Sequence, residues 1–348
     1  MVKSGNRNSA LDVIRIFAAI CVVYIHVTDP FLSYSPYFGI QGTAWWILNI
    51  LNVIFRTSVP LFVMISGLLL LNTEKKLDSN SFYKRRFAKI GIPTVIWLVI
   101  YFVILAFTGP ALSLPSLIER LLTANIFHLY FLVLILELYF VTPLFYDFLK
   151  NNSAKAQRVL LAATFTLTTV VALTGRLFPG SKVSLTSNIT TVFIPFLFYY
   201  LLGPALKKVK LSLSSIICLI IIFFYFVIFI AIVSRGDVGA YSRSFEGLPI
   251  MALSIAVCLV LSQLNRLKVF TNERFQSVLS FISNSMFGMY LIHVLVLLLV
   301  DHFYPVLPGH VGSPMWFVVL IKGGVVVIIS FTLSVILRKL PFIRYISP

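Results

Sequence analysis

Charge is scarce in this sequence, and one sign of it scarcer still. Only 11% of the 348 residues are charged, and Asp and Glu together number 11 beside 28 Lys and Arg. A typical soluble domain carries about 25% charged residues, so an ordinary soluble globule is excluded. Cysteine is equally sparse. Cys21, Cys218 and Cys258 each lie inside an apolar run, which reads as three small hydrophobes and not as a disulfide framework. The five His show no metal-ligand spacing, so no metal site is expected. The G-x-S-x-G turn of soluble serine hydrolases is absent. So are repeats, low-complexity tracts and any long polar stretch that would make an appended soluble domain. The first apolar run lacks a small-residue cleavage site and continues into Tyr24 and His26, so it is expected to stay as a span.

What is present is hydrophobic length. The chain is 59% hydrophobic with a mean hydropathy of +0.99. The net charge of +17 suggests a nucleic-acid partner only until the basic residues are located. They sit in short clusters between apolar runs, as topogenic signals do, and no nucleic-acid partner is expected. A span needs about 20 apolar residues. Ten candidates follow: 10–28, 45–71, 90–109, 127–149, 159–174, 189–205, 213–233, 248–263, 278–301 and 315–337. The fifth, sixth and eighth are short; the second and ninth are long enough to tilt or break. With the N-terminus inside, 20 of the 28 Lys and Arg fall in cytoplasmic segments and five in outer loops. Arg15, Arg56 and Lys322 remain within spans. The expectation is an all-α polytopic membrane protein of about ten transmembrane helices, both termini cytoplasmic, forming one transmembrane domain over 1–348.

The stretch DVIRIFAAICVVYIH, residues 12–26, organises the rest. Arg15 and His26 are eleven positions apart, which places them within roughly 20° of one helix face and about 16 Å apart along the axis. Each has a bland reading: Arg15 snorkels to the inner surface, and His26 caps the outer end. Together they read as functional. Asp12, one turn before Arg15, is placed to pair with it and hold the guanidinium. A held Arg at the cytoplasmic end suits a phosphate. A His nearer the outer surface suits a general base for a hydroxyl.

Other polar residues interrupt later spans. Arg56 lies in the outer half of the second, as an anchor, a structural pair or a substrate contact. Ser66 and Gly67 lie deeper on the same span, where small residues permit close helix packing. The cluster FYKRRFAKIGIP, 82–93, carries Arg86 and Lys89 on the cytoplasmic side. His128 opens the fourth span on the outer side. Glu137, nine residues on and on the opposite face, needs a partner, for which Arg56 and Lys322 are candidates. Tyr290 and His293 share one side of the ninth span, with His293 near the depth of His26. His302 and His310 are expected in the last outer loop.

R-x10-H in a first membrane helix resembles the signature of the acyltransferase-3 family of membrane O-acyltransferases. Three further stretches are similar to family segments in order and position: RTSVPLFVMISGLLL at 56–70, HLYFLVLILELYFVTP at 128–143 and SMFGMYLIH at 285–293. The nearest-looking subgroup is the stand-alone type that modifies surface polysaccharide, such as the O-acetyltransferase of enterobacterial common antigen.

The resemblance implies a multi-pass protein of the bacterial inner membrane. Acetyl-CoA, as co-substrate and not as a resident cofactor, would bind from the cytoplasm. The acetyl group would pass to a hydroxyl of a surface or lipid-linked glycan on the outer side, with membrane lipids as surroundings. His26 would be the base and Arg15 would position CoA, with Arg86, Lys89 and Ser66 as further acyl-CoA contacts. Ser66 would then flank a passage for the pantetheine arm. Asp12, Arg56, His128, Tyr290 and His293 would support the site or bind substrate. The family often has R-x-x-R where this chain has Arg86 and Lys89; Lys keeps the charge and loses the bidentate fork. The rival class is a transporter of polysaccharide or lipid-linked glycan, whose intramembrane charges would line a path. Such proteins often show matched halves, and the charged spans here show no such symmetry.

Overall fold

The computed structural model describes residues 8–33, 42–73, 77–108, 119–120, 127–177, 191–207, 209–234, 242–304 and 315–340. Lys3, Arg7, Lys75, Lys76, Lys182, Lys208, Arg235 and Arg344, counted above for orientation, and His310 lie outside the described residues.

The helices in chain order are α1 (Ser9–Ser33), α2 (Thr43–Phe55), α3 (Ser58–Leu71) and α4 (Ser79–Arg86). A π-helical turn (Phe87–Gly91) leads from α4 into α5 (Ile92–Thr108). Then come α6 (Tyr130–Asn151), α7 (Ala154–Leu177), α8 (Leu197–Leu206) and α9 (Leu213–Val233). The series closes with α10 (Leu248–Ser262), α11 (Glu273–Phe303) and α12 (Met315–Lys339). Short 3-10 turns precede α6 (Phe127–Leu129) and α8 (Ile194–Phe196). Helix dominates for a physical reason: hydrocarbon offers no partner for backbone N–H and C=O groups, so each span must satisfy its own.

Among the described residues nine helical stretches are long and apolar enough to cross a membrane, against ten expected. The difference is the sixth span, expected at 189–205. It is the shorter apolar helix Ile194–Leu206, and 189–190 lie outside the described residues. Elsewhere α1, α7, α11 and α12 overrun their expected bounds and α9 matches them. His302, expected in a loop, is in the last turn of α11, because that helix continues to a C-cap at Tyr304. The basic cluster of 82–93, expected on the cytoplasmic side, is helical. Asp78 caps α4 by accepting from the Ser81 N–H at 3.1 Å, and the helix runs on through the π turn. The Ser81 hydroxyl, and after it this N–H, hold the exposed Asp78 carboxyl below its ordinary range.

The second span breaks between α2 and α3, at Arg56–Thr57. Pro60 has no N–H to return to the Arg56 carbonyl four residues back. Thr57 turns its hydroxyl onto the Ile54 carbonyl at 2.8 Å, and Leu61 restarts the ladder on Thr57 at 3.1 Å.

The chain divides into two compact units, Met1–Phe62 with Val209–Leu337, and Val63–Lys208 with Arg338–Pro348. In the first, α1 is central and packs on α2, α10 and α11. Its buried Ile14, Ala18, Val22 and Ile25 recur at helical spacing. The start of α1 is tied down where the Ala10 N–H donates to Asn265 Oδ1 at 2.8 Å. Tyr24 donates to the Leu320 carbonyl of α12 at 3.1 Å, and Lys322 of α12 is ion-paired with Asp301 of α11. Asn49 of α2 reaches the Ala231 carbonyl of α9 at 2.9 Å. Helix α9 turns Ile217, Ile221, Phe224 and Ile228 outward, as lipid contact requires.

In the second unit α6 packs on α4 and the π turn, and α7 packs on α8 and its leading 3-10 turn. Helices α3 and α8 cross in direct backbone contact. A Cβ on Gly67 would stand 1.8 Å from the Tyr200 carbonyl oxygen, and one on Gly203 2.1 Å from that of Met64. Small residues are there to let the two backbones touch.

Candidate functional site

The site is built on α1, whose polar residues belong to two groups. At its start Asp12 accepts from Arg15 at 3.1 Å; Asp12 is buried, while the Arg15 side chain keeps 30% exposure. The i, i+3 spacing alone dictates this pair.

Eleven residues on, the His26 ring lies 5.3 Å, centre to centre, from the ring of His293 on α11. His293 is fully buried. Its Nδ1 is 2.5 Å from the Tyr290 carbonyl oxygen. A carbonyl only accepts, so the proton of this contact is carried by Nδ1. Tyr290, also buried, has its ring centre 5.7 Å from that of His293. The carbonyl contact fixes the orientation of the His293 ring against its own helix.

Beside the imidazoles stands an ion cluster. Asp29, one turn past His26, accepts from Arg56 at 2.8 Å and from Arg243 at 3.5 Å. Asn52 joins them. Its amide nitrogen donates to Thr28 Oγ1 and Asp29 Oδ1, both at 2.9 Å. Its oxygen accepts from Arg56 Nε at 3.0 Å and Arg243 at 2.6 Å. The guanidinium of Arg56 also lies 5.8 Å from the centre of the Phe245 ring. Burial and the neighbouring Arg56 push Arg243 down to about 10, still a cation at neutral pH. Burial raises the Glu246 carboxyl, against the pull of Ser244 and Arg56.

The sequence reading singled out Arg56 and neither Asp29, Asn52, Arg243 nor Glu246. One signal was available. Asn49, Asn52 and Arg56 recur three and four apart in an otherwise apolar run, which puts a polar stripe on one face of α2. Nothing comparable marks Arg243, which meets Asp29 across 214 positions.

Of the residues expected to serve chemistry, Asp12, Arg15, His26, Arg56, Tyr290 and His293 all belong to the first unit, and four of them converge as described. Ser66, Arg86, Lys89 and His128 belong to the second. Ser66 is half-buried on α3. Arg86 lies between the rings of Phe82 and Tyr139, 5.5 Å from each centre, and Lys89 is exposed in the π turn. His128 is buried edge-on to Tyr101 at 5.0 Å. The partners expected for Glu137 are corrected. Arg56 is held by Asp29 and Lys322 by Asp301, while Glu137 accepts the Phe193 N–H at 3.1 Å. A backbone N–H supplies what a distant cation was expected to supply.

Comparison with known proteins gives one match over nearly the whole chain. The acyltransferase-3 family, described as "Acyltransferase domain", matches residues 8–335. An amino-acid racemase of Enterococcus faecalis is 34% identical over 125 residues, which is 35% of this chain and 16% of that protein. The chain thus spans about a sixth of the length of that curated relative. No solved structure matches.

Proposed function

Because this chain belongs to the acyltransferase-3 family, and is a multi-pass membrane protein carrying an acyltransferase domain, we propose that it moves an acetyl group from cytoplasmic acetyl-CoA to a hydroxyl of a surface or lipid-linked glycan. The membrane in question is the bacterial inner membrane, and the subgroup is the stand-alone type that O-acetylates polysaccharide. The observation that carries the proposal is the His26–His293 pair beside the Asp29–Arg56 ion pair, inside the matched region. The racemase shares too little of its length with this chain to lend it an activity.

In this reading Arg15, held by Asp12, receives a phosphate of CoA at the start of α1. His26 takes the proton from the acceptor hydroxyl as its oxygen attacks the thioester carbonyl. The new C–O ester bond forms, the C–S bond breaks, and the CoA thiolate leaves to be reprotonated. His293 and Tyr290 hold the imidazole in place. Asp29 keeps Arg56 and Arg243 beside the site, where cationic donors offset the charge that develops on the carbonyl oxygen. A positioned general base contributes about 10²–10⁴-fold in rate.

The test is transfer in sealed proteoliposomes with labelled acetyl-CoA on the cytoplasmic face. Label should reach a glycan acceptor on the opposite face, and His26→Ala should lower the rate by roughly two to four orders of magnitude. Wild-type rates in the variant would remove His26 from the mechanism. Label that stays on CoA with every acceptor, while the folded protein carries glycan across the bilayer, would favour the transporter.

A further inference from the structure

The second unit contains a cavity of about 420 Å³ that none of the chemistry above uses. It lies where the end of α3, the α6–α7 hairpin and α8 meet. Its size is that of a small-ligand site. Its lining combines apolar residues, Leu71 and Leu201 among them, with the polar Asn72, Lys150, Gln157 and Arg158. Among the described residues no carboxylate lines it.

The two cations are not consumed by the fold. Arg158 Nε donates to the Ala154 carbonyl at 3.3 Å, and its terminal nitrogens have no hydrogen bond among the described residues. Lys150, an exposed residue, has its ammonium 5.7 Å from the centre of the Tyr146 ring. Gln157 donates to the Leu149 and Asn152 carbonyls at 2.7 and 3.2 Å and so closes the hairpin between the two cationic positions. The Lys and Arg count predicts this hairpin on the cytoplasmic side, between the ends of two spans.

We propose that this cavity binds the headgroup of an anionic phospholipid of the inner leaflet. The phosphate lies between Lys150 and Arg158, and the glycerol and first methylenes lie against the leucines. Basic pockets between transmembrane helices on the cytoplasmic side suit such headgroups. A soluble phosphate ester such as CoA shares the anion. Its pantetheine arm interrupts its methylenes with two amides, whereas a phospholipid sets continuous hydrocarbon beside its phosphate for the leucines to cover, so the lipid is the better match. The site shares no lining residue with the histidine pair and stands or falls independently of acyl transfer.

Native mass spectrometry of the full chain, delipidated in detergent, tests this. The probes are phosphatidylglycerol, phosphatidylcholine with the same acyl chains, and CoA. One phosphatidylglycerol should bind saturably, in preference to phosphatidylcholine. Lys150→Gln and Arg158→Gln should each weaken that binding on the order of fivefold. Lys155→Gln, on the same hairpin but outside the cavity lining, should leave it unchanged and shows that site, not total charge, matters. Circular dichroism of each variant secures the fold. Equal binding of both lipids, equal loss in Lys155→Gln, or displacement of the lipid by CoA at equal concentration would overturn the proposal.

Discussion

Asp29 carries more of this site than its place near the end of an apolar run suggests. Its carboxylate is shared by Arg56 and Arg243, and removing it leaves two guanidiniums on the one Asn52 oxygen without their shared counter-charge. Asp29→Asn should therefore destabilise the protein. Because the carboxylate is 34% exposed, the cost is scaled down for solvent to about 1 kcal/mol. A lower melting temperature in detergent, together with reduced transfer, is the expected result; a variant that melts and turns over like the wild type would show the cluster to be idle.

A second prediction at the residue scale concerns Glu246. Burial raises its folded value above the ordinary 4.5, so the folded chain favours the protonated form. The stability associated with this group is fully present below about pH 4.5 and declines as pH rises through the raised folded value. Glu246→Gln removes the titration. The melting temperature of the variant relative to wild type should thus climb as pH is raised from 4.5, and a difference that stays constant with pH would contradict the assignment.

At the scale of elements, the crossing of α3 and α8 is the contact least tolerant of change. A methyl group on Gly203 would meet the Met64 carbonyl at 2.1 Å and the Leu68 nitrogen at 2.7 Å, both backbone atoms that move only if the helices part. Gly203→Ala should cost about 1–3 kcal/mol or more. Gly324 on α12 is the internal control. A Cβ there finds only the Tyr24 hydroxyl, at an ordinary 3.7 Å, so Gly324→Ala should be neutral or gain up to about 1 kcal/mol from helix propensity. Thermal unfolding of the two variants side by side reads the contrast, and equal melting temperatures would refute it. The break between α2 and α3 is legible at this scale too. Pro60 announces it, although hydropathy runs through it without interruption.

For the whole molecule the open choice is how often the chain crosses. If the short helix Ile194–Leu206 completes a crossing, the α6–α7 hairpin and the end of α11 lie on opposite sides of the membrane. If it does not, they share one. Single cysteines in place of Ser153 and Tyr304, in a chain lacking Cys21, Cys218 and Cys258, distinguish the two. The Lys and Arg distribution predicts that a membrane-impermeant maleimide reaches position 304 in spheroplasts and position 153 in inverted vesicles. Both positions labelling from one side would remove the tenth span.

Sequence by itself determined the class of this protein and the helix its site is built on. Hydropathy counted over 20-residue windows specifies membrane helices, because a lipid-facing backbone admits little else. The 3.6-residue period specifies which residues share a face, so the Asp12–Arg15 pair and the common stripe of Arg15 and His26 follow from spacing alone. That period says nothing about which face of another helix will be met. Only the tertiary structure decided that His26 lies beside His293, that Asp29 holds both Arg56 and Arg243, and that Glu137 is satisfied by a backbone N–H. These contacts join residues 56 to 267 positions apart, apart from Asp29–Arg56 at 27. They arise from how apolar surfaces and small residues let the helices pack, a property of several spans at once that no single span contains.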